Sequence, residues 1–257
     1  MQKFWQVTRS AYIWTSIGVG TALMYVAALP VFILTAPFDP KRRFGHWYAQ
    51  RWGRMILMLN NRWKHSVYKQ ERIPRDRPLV VIANHQGMGD IMMAFCLDLH
   101  FKWISKRSNF FVPFMGWFMF HAGYIPLKRG QKSSIEKCMA KARDYLDQGV
   151  SVLFFPEGTR SKDGVVQPFK KGAFQLAIDG QFDILPMAIA GTIDALPKGT
   201  WLFSDDYSHM RILVGEPIST KGLTEKDMDD LIARSREAVV ALKDELDGKV
   251  AAVRRAA

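Results

Sequence analysis

Cysteine is nearly absent from this sequence of 257 residues, which holds 2. A disulfide-stapled secreted fold is therefore excluded. No zinc-finger spacing, RNA-recognition signature or basic heptad array occurs, so nothing in the chain marks a nucleic-acid-binding module. No nucleotide-binding glycine motif and no cluster of metal-ligand residues is present, so neither a bound cofactor nor a metal is expected. Internal repeats and low-complexity tracts are also missing, which excludes a solenoid. Acid is scarce in one place above all: residues 1–66 contain a single one, Asp39. Between Arg9 and Asp39 there is no charged side chain of either sign.

What is present belongs to a globular chain with a basic bias. Apolar residues make up 48% and charged residues 23%, enough for one α/β domain with a full core. Lys and Arg number 36 against 24 Asp and Glu, for a net charge of +12. Such a balance favours a polyanionic partner, and an anionic membrane surface is the one the sequence supports. Nine of the cations lie in residues 1–66: Lys3, Arg9, Lys41, Arg42, Arg43, Arg51, Arg54, Arg62 and Lys64. Five of the 8 Trp lie there too: Trp5, Trp14, Trp47, Trp52 and Trp63. Cations and indoles beside apolar sequence are what a membrane interface selects.

The apolar run Ala11–Ala36 is long enough for one membrane crossing at 1.5 Å per residue. Gly18, Gly20 and Pro30 could instead bend it into a monotopic anchor. A signal peptide is the other reading, but the apolar stretch is long for one and no small-residue cleavage site is evident. Residues 41–66 carry Phe44, Trp47, Trp52, Met55, Ile56, Leu59 and Trp63 at spacings of three to five, with arginines between. This predicts an amphipathic helix with a basic flank, packed on the core or lying in the interface. The expected organisation is thus a membrane anchor over 1–66 and a second domain over 67–257.

In that second domain, short apolar runs alternate with helical periodicity. Strands are expected at Leu79–Ala83, Phe101–Ser105, Tyr124–Leu127, Val150–Phe155, Ile184–Ile189 and Met210–Val214. Helices are expected at Asp90–Leu99, Ser133–Gln148, Gly172–Ile178 and Thr224–Asp247, with a helix or loop at Pro113–Phe120. Thr224 with Asp227 three residues on forms a variant capping box. The pattern predicts an α/β fold: a central, mostly parallel sheet flanked by helices, preceded by the anchoring helical segment.

Two motifs carry chemistry. The first strand runs into Asn84-His85-Gln86-Gly87-Met88-Gly89-Asp90. On a continuous helix His85 and Asp90 would point apart, so the chain must turn, and the glycines permit this. The carboxylate can then reach back to the imidazole, fix its tautomer and leave the other nitrogen as a base. A plain polar loop is the alternative. The second motif, Phe154-Phe155-Pro156-Glu157-Gly158-Thr159-Arg160, follows the fourth strand. It displays Glu157, Thr159 and Arg160 where open α/β sheets bind ligands. Arg160 could grip a phosphate in bidentate fashion. Glu157 could brace Arg160 or bond a substrate hydroxyl.

Together these motifs resemble the glycerolipid acyltransferase family, the type that acylates lysophosphatidic acid. Gly123-Tyr124-Ile125-Pro126-Leu127-Lys128-Arg129 and Leu185-Pro186-Met187-Ala188-Ile189 resemble two further blocks of that family, in order and spacing, over roughly residues 79–215. Lys106 and the stretch 112–116 are also similar to it. Gly87 and Gly89 depart from the family pattern, which often has Ser and a bulky residue there.

The resemblance implies transfer of a fatty acyl group from a thioester, acyl-CoA or acyl-ACP, to the sn-2 hydroxyl of lysophosphatidic acid, giving phosphatidic acid. His85 is implied as general base, with Asp90 supporting it. Arg129, Arg160 and Lys106 are implied to bind the substrate phosphate, and Asn84, Glu157, Gly158, Thr159 and Pro186 to bind substrate or shape the site. Both arginines are expected to follow neighbouring strands. Cys96 and Cys138 are expected in the core rather than in the chemistry. The expected partners are membrane lipids, a lysophospholipid and the acyl carrier. The expected location is a bacterial inner membrane, with the catalytic domain on the cytoplasmic side. Another lysophospholipid acceptor such as lysophosphatidylglycerol, a hydrolase, or a non-catalytic membrane-binding protein on the same fold are the alternatives.

Overall fold

The computed structural model describes residues 2–197 and 199–256, with side chains described for 3–197 and 199–248. Seven strands form one sheet in the order β1-β7-β6-β2-β5-β3-β4. In chain order these are β1 Trp63–Tyr68, β2 Val80–Ala83, β3 Phe101–Lys106, β4 Ile125–Leu127, β5 Ser151–Phe154, β6 Ile184–Ala190 and β7 Ser208–Val214. Every neighbouring pair is parallel except β6 and β7, so β1 and β7 run against the other five. The mostly parallel sheet expected from the alternation is present. Its central strands β2, β5 and β6 are buried at every position, which is why their sequences are continuous apolar runs rather than alternating ones.

Helices cover both faces. Val81, Leu153, Leu185, Met187 and Ile212 point into one core with α1 Gln2–Thr35, α2 Arg43–Met58, α3 Gly89–Ala94 and α4 Met115–His121. Val80, Ile82, Val152 and Phe154 point into the other with α5 Lys132–Asp147, α6 Gly172–Gly180 and α8 Met228–Ala256. A short α7 Thr192–Ala195 follows β6. The Thr224–Asp227 capping box forms and opens the turn that leads into α8.

The N-terminal elements are not separate from this body. Ile13, Tyr25, Ala28 and Phe32 of α1 are buried in the core. Near its start, α1 holds the loop before β7: Gln6 Nε2 donates to the Phe203 carbonyl (2.9 Å), Trp14 Nε1 to that of Trp201 (2.8 Å), and the Phe203 N–H to Ser10 Oγ (3.0 Å). Arg9 bonds the Ser204 carbonyl (2.7 Å) and pairs with Asp205. Farther along, the Tyr48 hydroxyl and Trp52 Nε1 of α2 donate to Met24 O and Thr21 Oγ1. The opposite face of α1 leaves Phe4, Trp5, Tyr12, Val19, Leu23, Val26, Ile33 and Leu34 exposed. By length and composition α1 could cross a membrane.

Two expectations are corrected here. The helix read over 41–66 ends at Met58, and Trp63 lies in β1 rather than on a helix. Asn60 makes the break: its side-chain oxygen accepts the Arg62 N–H and its carbonyl accepts the Trp63 N–H, local bonds that compete with helix continuation. A boundary at 66/67 therefore falls inside a strand that pairs with β7. The helix expected over Asp90–Leu99 also stops early, because Cys96 and Leu97 bond three residues back and tighten the chain into a turn.

Candidate active site

β2, β5 and β6 lie side by side and end at one edge of the sheet, and the motif residues rise from those ends. Asn84 is buried and ties the edge together: its amide oxygen accepts the Ile189 N–H (2.8 Å) and its amide nitrogen donates to the Ile189 carbonyl (2.9 Å). The side chain thus continues the β2–β6 ladder one step past the strand. Pro186 is buried within β6 beside Ile82, and its carbonyl accepts the Gly215 N–H. It lies in the sheet, away from the cavity residues.

Past Asn84 the chain turns, and His85 Nδ1 lies 2.6 Å from Asp90 Oδ2. Asp90 is fully buried, so its carboxylate must be satisfied from within. Four groups do this. Oδ2 accepts the Gln86 N–H (2.7 Å) and the Gly87 N–H (3.0 Å) besides the imidazole, and Oδ1 accepts the Thr192 hydroxyl. A carboxylate accepting at Nδ1 fixes a proton there and leaves Nε2 with the lone pair. Two more contacts fix the histidine. Phe155 stacks on its ring with centroids 4.2 Å apart, and Glu157 Oε1 accepts its backbone N–H at 2.7 Å.

Glu157 shapes the turn, one of the roles expected for it. It is buried, and its second oxygen accepts the Gln167 N–H (3.1 Å), so both oxygens hold backbone around the turn rather than a substrate hydroxyl. Burial pushes its carboxyl above the usual range, while the two backbone bonds oppose the rise.

The His85 ring opens on a cavity of about 750 Å³. Gly158, Thr159 and Arg160 line it from the β5 loop, Lys106 from the end of β3, Arg129 from beyond β4, and Lys170 from the loop before α6. Gly158 has φ +70, a left-handed conformation that costs glycine little. Lys170 Nζ lies over it, where a Cβ would meet the ammonium at 2.8 Å. Four cations thus share one cavity with the His85–Asp90 pair. Apolar residues from α1 to α4, including Met24, Trp52, Ile91, Phe95 and Met119, form the remaining wall. The strands that carry Arg129 and Arg160 are not neighbours as expected, because β3 lies between β4 and β5. Among the described residues no group of three or more His, Cys, Asp or Glu could hold a metal ion. Burial pushes the Cys96 thiol up and that of Cys138 to about 11, so neither is poised as a thiolate.

Sequence reasoning missed Thr192 and the stacking role of Phe155. Thr192 stands two residues past the C-terminal end of β6, the region where open α/β sheets place site residues. It also explains Gly87: a Cβ there would meet the Thr192 carbonyl oxygen at 2.9 Å.

These observations agree with what the chain is similar to. A family model described as "Acyltransferase" matches residues 64–190. The sequence is 37% identical over 183 residues to the chloroplastic 1-acyl-sn-glycerol-3-phosphate acyltransferase LPAT1 of Arabidopsis thaliana, covering 70% of this chain and 51% of that one. It is 30% identical over 207 residues to 1-acyl-sn-glycerol-3-phosphate acyltransferase alpha of Homo sapiens, covering 76% and 71%. The chain thus spans about half the length of its chloroplastic relative. The crystal structure of the 1-acyl-sn-glycerophosphate acyltransferase PlsC from Thermotoga maritima superposes with a TM-score of 0.76 at 25% identity, over 96% of this chain and 98% of that one. The chain belongs to the acyltransferase family. Within it, the relatives named here are enzymes of 1-acyl-sn-glycerol-3-phosphate.

Proposed function

We propose that this protein transfers a fatty acyl group from a thioester to the sn-2 hydroxyl of lysophosphatidic acid, giving phosphatidic acid. The observation that carries the reading is a tautomer-fixed His85 facing a cavity that is cationic on one side and apolar on the other. His85 Nε2 takes the hydroxyl proton as the oxygen attacks the thioester carbonyl carbon. The tetrahedral intermediate collapses, the C–S bond breaks, and the leaving thiolate takes the proton back from the imidazolium. Asp90 stabilises that imidazolium. General-base catalysis of this kind contributes roughly 10²–10⁴-fold. No enzyme nucleophile is required, because the thioester is already activated. Arg129, Arg160 and Lys106, joined by Lys170, hold the acceptor's phosphate. The donor is acyl-CoA or acyl-ACP, both acidic and suited to the basic rim.

The membrane supplies the acceptor. α1 is held to the domain from Gln6 to Phe32, so it lies along the body rather than leaving it. Its exposed apolar face enters one leaflet, with Lys41, Arg43, Arg51 and Arg54 at the headgroups. This is a monotopic arrangement, on the cytoplasmic face of a bacterial inner membrane. The test is a labelled-thioester assay over a panel of lysolipids with both donors. Transfer to lysophosphatidic acid above the other acceptors is expected. Preference for another lysolipid, release of free fatty acid alone, or no turnover would overturn the reading. Full-length protein in the soluble fraction without detergent would overturn the membrane placement.

A further inference from the structure

The exposed apolar surface does not end with α1. A 3-10 turn at Arg107–Phe111 leads into α4, and this hairpin exposes Phe111 (71%), Val112, Trp117 and Phe120 (74%). Such a cluster is uncommon on a water-facing surface and marks an interaction site. Its composition is interfacial: Arg107 lies over the Phe111 ring at 5.9 Å, and Lys106 precedes it. It adjoins α1, because Tyr25 packs on the rings of Phe114 and Trp117, and Phe32 on that of Phe118.

The backbone is bent to make this display. Phe114 has φ 60 and ψ −57, and the Met115 N–H donates to the Pro113 carbonyl at 2.6 Å, a γ-turn of the strained hand. Gly116 has no room for a Cβ against the Phe110 carbonyl, so the turn closes tightly behind it. Strain of this kind persists where the surroundings demand it and gathers at functional sites. The other side of the same hairpin faces the candidate site: Ser108, Asn109 and Met115 line the cavity, together with Thr21 and Met24 of α1.

We propose that the 107–121 hairpin is a second membrane-inserted element, which holds the mouth of the cavity in the same leaflet as α1 so that the lysolipid passes from bilayer to site without crossing water. The occupant is lipid, since the patch continues the apolar face of α1 and carries interfacial cations. The inference rests on the membrane reading of α1, and the experiment separates the two. Full-length protein is bound to vesicles of phosphatidylethanolamine and phosphatidylglycerol that contain a lipid with a diazirine deep in its acyl chain. Adducts are then mapped by mass spectrometry. Labelling of both α1 and 107–120 is expected. Labelling of α1 without 107–120 overturns the hairpin alone, and labelling of neither overturns the anchor reading as well. A dimer in which 107–120 is shielded from the photolipid assigns the patch to a second copy and also overturns it. As a second measurement, Phe111→Ser with Phe120→Ser should lower acyl transfer to lysolipid in vesicles about tenfold or more, given the transfer free energy of each ring. On lysolipid in detergent micelles the rate should stay within about threefold of the wild type, since neither ring lines the cavity. Equal losses in vesicles and micelles, or none in either, would refute the proposal.

Discussion

Replacing Asp90 with Asn isolates the role of its charge. The carboxylate has four donors around it, and the amide can satisfy them with little movement. The amide oxygen takes the place of Oδ2, facing His85 Nδ1 and the Gln86 and Gly87 N–H groups. The NH2 group takes the place of Oδ1, and the Thr192 hydroxyl rotates to accept from it. Fold and packing should therefore survive. What is lost, on the proposed mechanism, is a negative charge against the imidazolium that forms when His85 takes the acceptor proton. Unit charges about 4 Å apart at an effective dielectric constant near 20 interact by about 4 kcal/mol. At about 1.4 kcal/mol per decade that is roughly a 10³-fold loss of rate. The assay is continuous thiol release from the acyl thioester at saturating lysophosphatidic acid, beside a thermal melt. A loss of 10²–10⁴-fold with a melt within a few degrees of wild type is expected. A well-folded variant that keeps more than about a tenth of the rate would refute the argument that Asp90 acts through its charge.

His85→Ala should abolish transfer while the protein still melts cooperatively, and residual turnover above about a tenth of wild type counts against the general base. Arg129→Ala and Arg160→Ala should each raise the acceptor's apparent KM roughly 10–150-fold and move the donor's much less, with Lys restoring only part of the loss. Equal damage to both KM values would count against phosphate recognition. Thr192→Val removes a hydroxyl bond to a buried carboxylate and should lower kcat about tenfold or more with little change in acceptor KM; an unchanged kcat would make Thr192 a packing residue only. His100 is pushed down to about 3 by burial and by the Lys102 and Arg43 charges. The unfolded chain therefore binds the proton first, near pH 6.5, and stability falls as pH drops from there toward 3, by up to about 4 kcal/mol. His100→Phe should make that acid limb shallower in denaturant titrations, with buried His46 still contributing to it, and an unchanged slope would refute the assignment.

The sequence disclosed the sheet and the His85–Asp90 turn because both rest on local signals. Continuous β-branched runs mark buried parallel strands, and two glycines mark a chain reversal. β1 was hidden because Trp63-Lys64-His65-Ser66-Val67-Tyr68 is an edge strand with one buried end, and its tryptophan extends the spacing of α2. The partners of Glu157 were not legible, because they are backbone groups of His85 and Gln167, and backbone donors carry no sequence signature. Thr192 was invisible because its bond to Asp90 spans 102 positions, and one threonine after a strand looks like any other. The neighbours assumed for Arg129 failed for the same reason: strand order is decided by crossovers, and local pattern does not encode it.

The clasp between α1 and the loop at 201–205 joins residues nearly two hundred positions apart. A chain made at roughly 5–20 residues per second leaves α1 without its docking partner for about ten to forty seconds. During that interval α2 can already pack on Thr21 and Met24, but the first turns of α1 lack the 201–205 loop that they hold. On the membrane reading proposed above, the exposed face of α1 would meet the bilayer before the sheet exists, and the domain would close onto a helix already lodged there. Removing residues 1–40 does more than take away the proposed anchor: it takes Ile13, Tyr25, Ala28 and Phe32 out of the core and leaves the 201–205 loop without its holder. Such a truncation should fold poorly even in detergent, so loss of its activity would not measure the membrane's contribution.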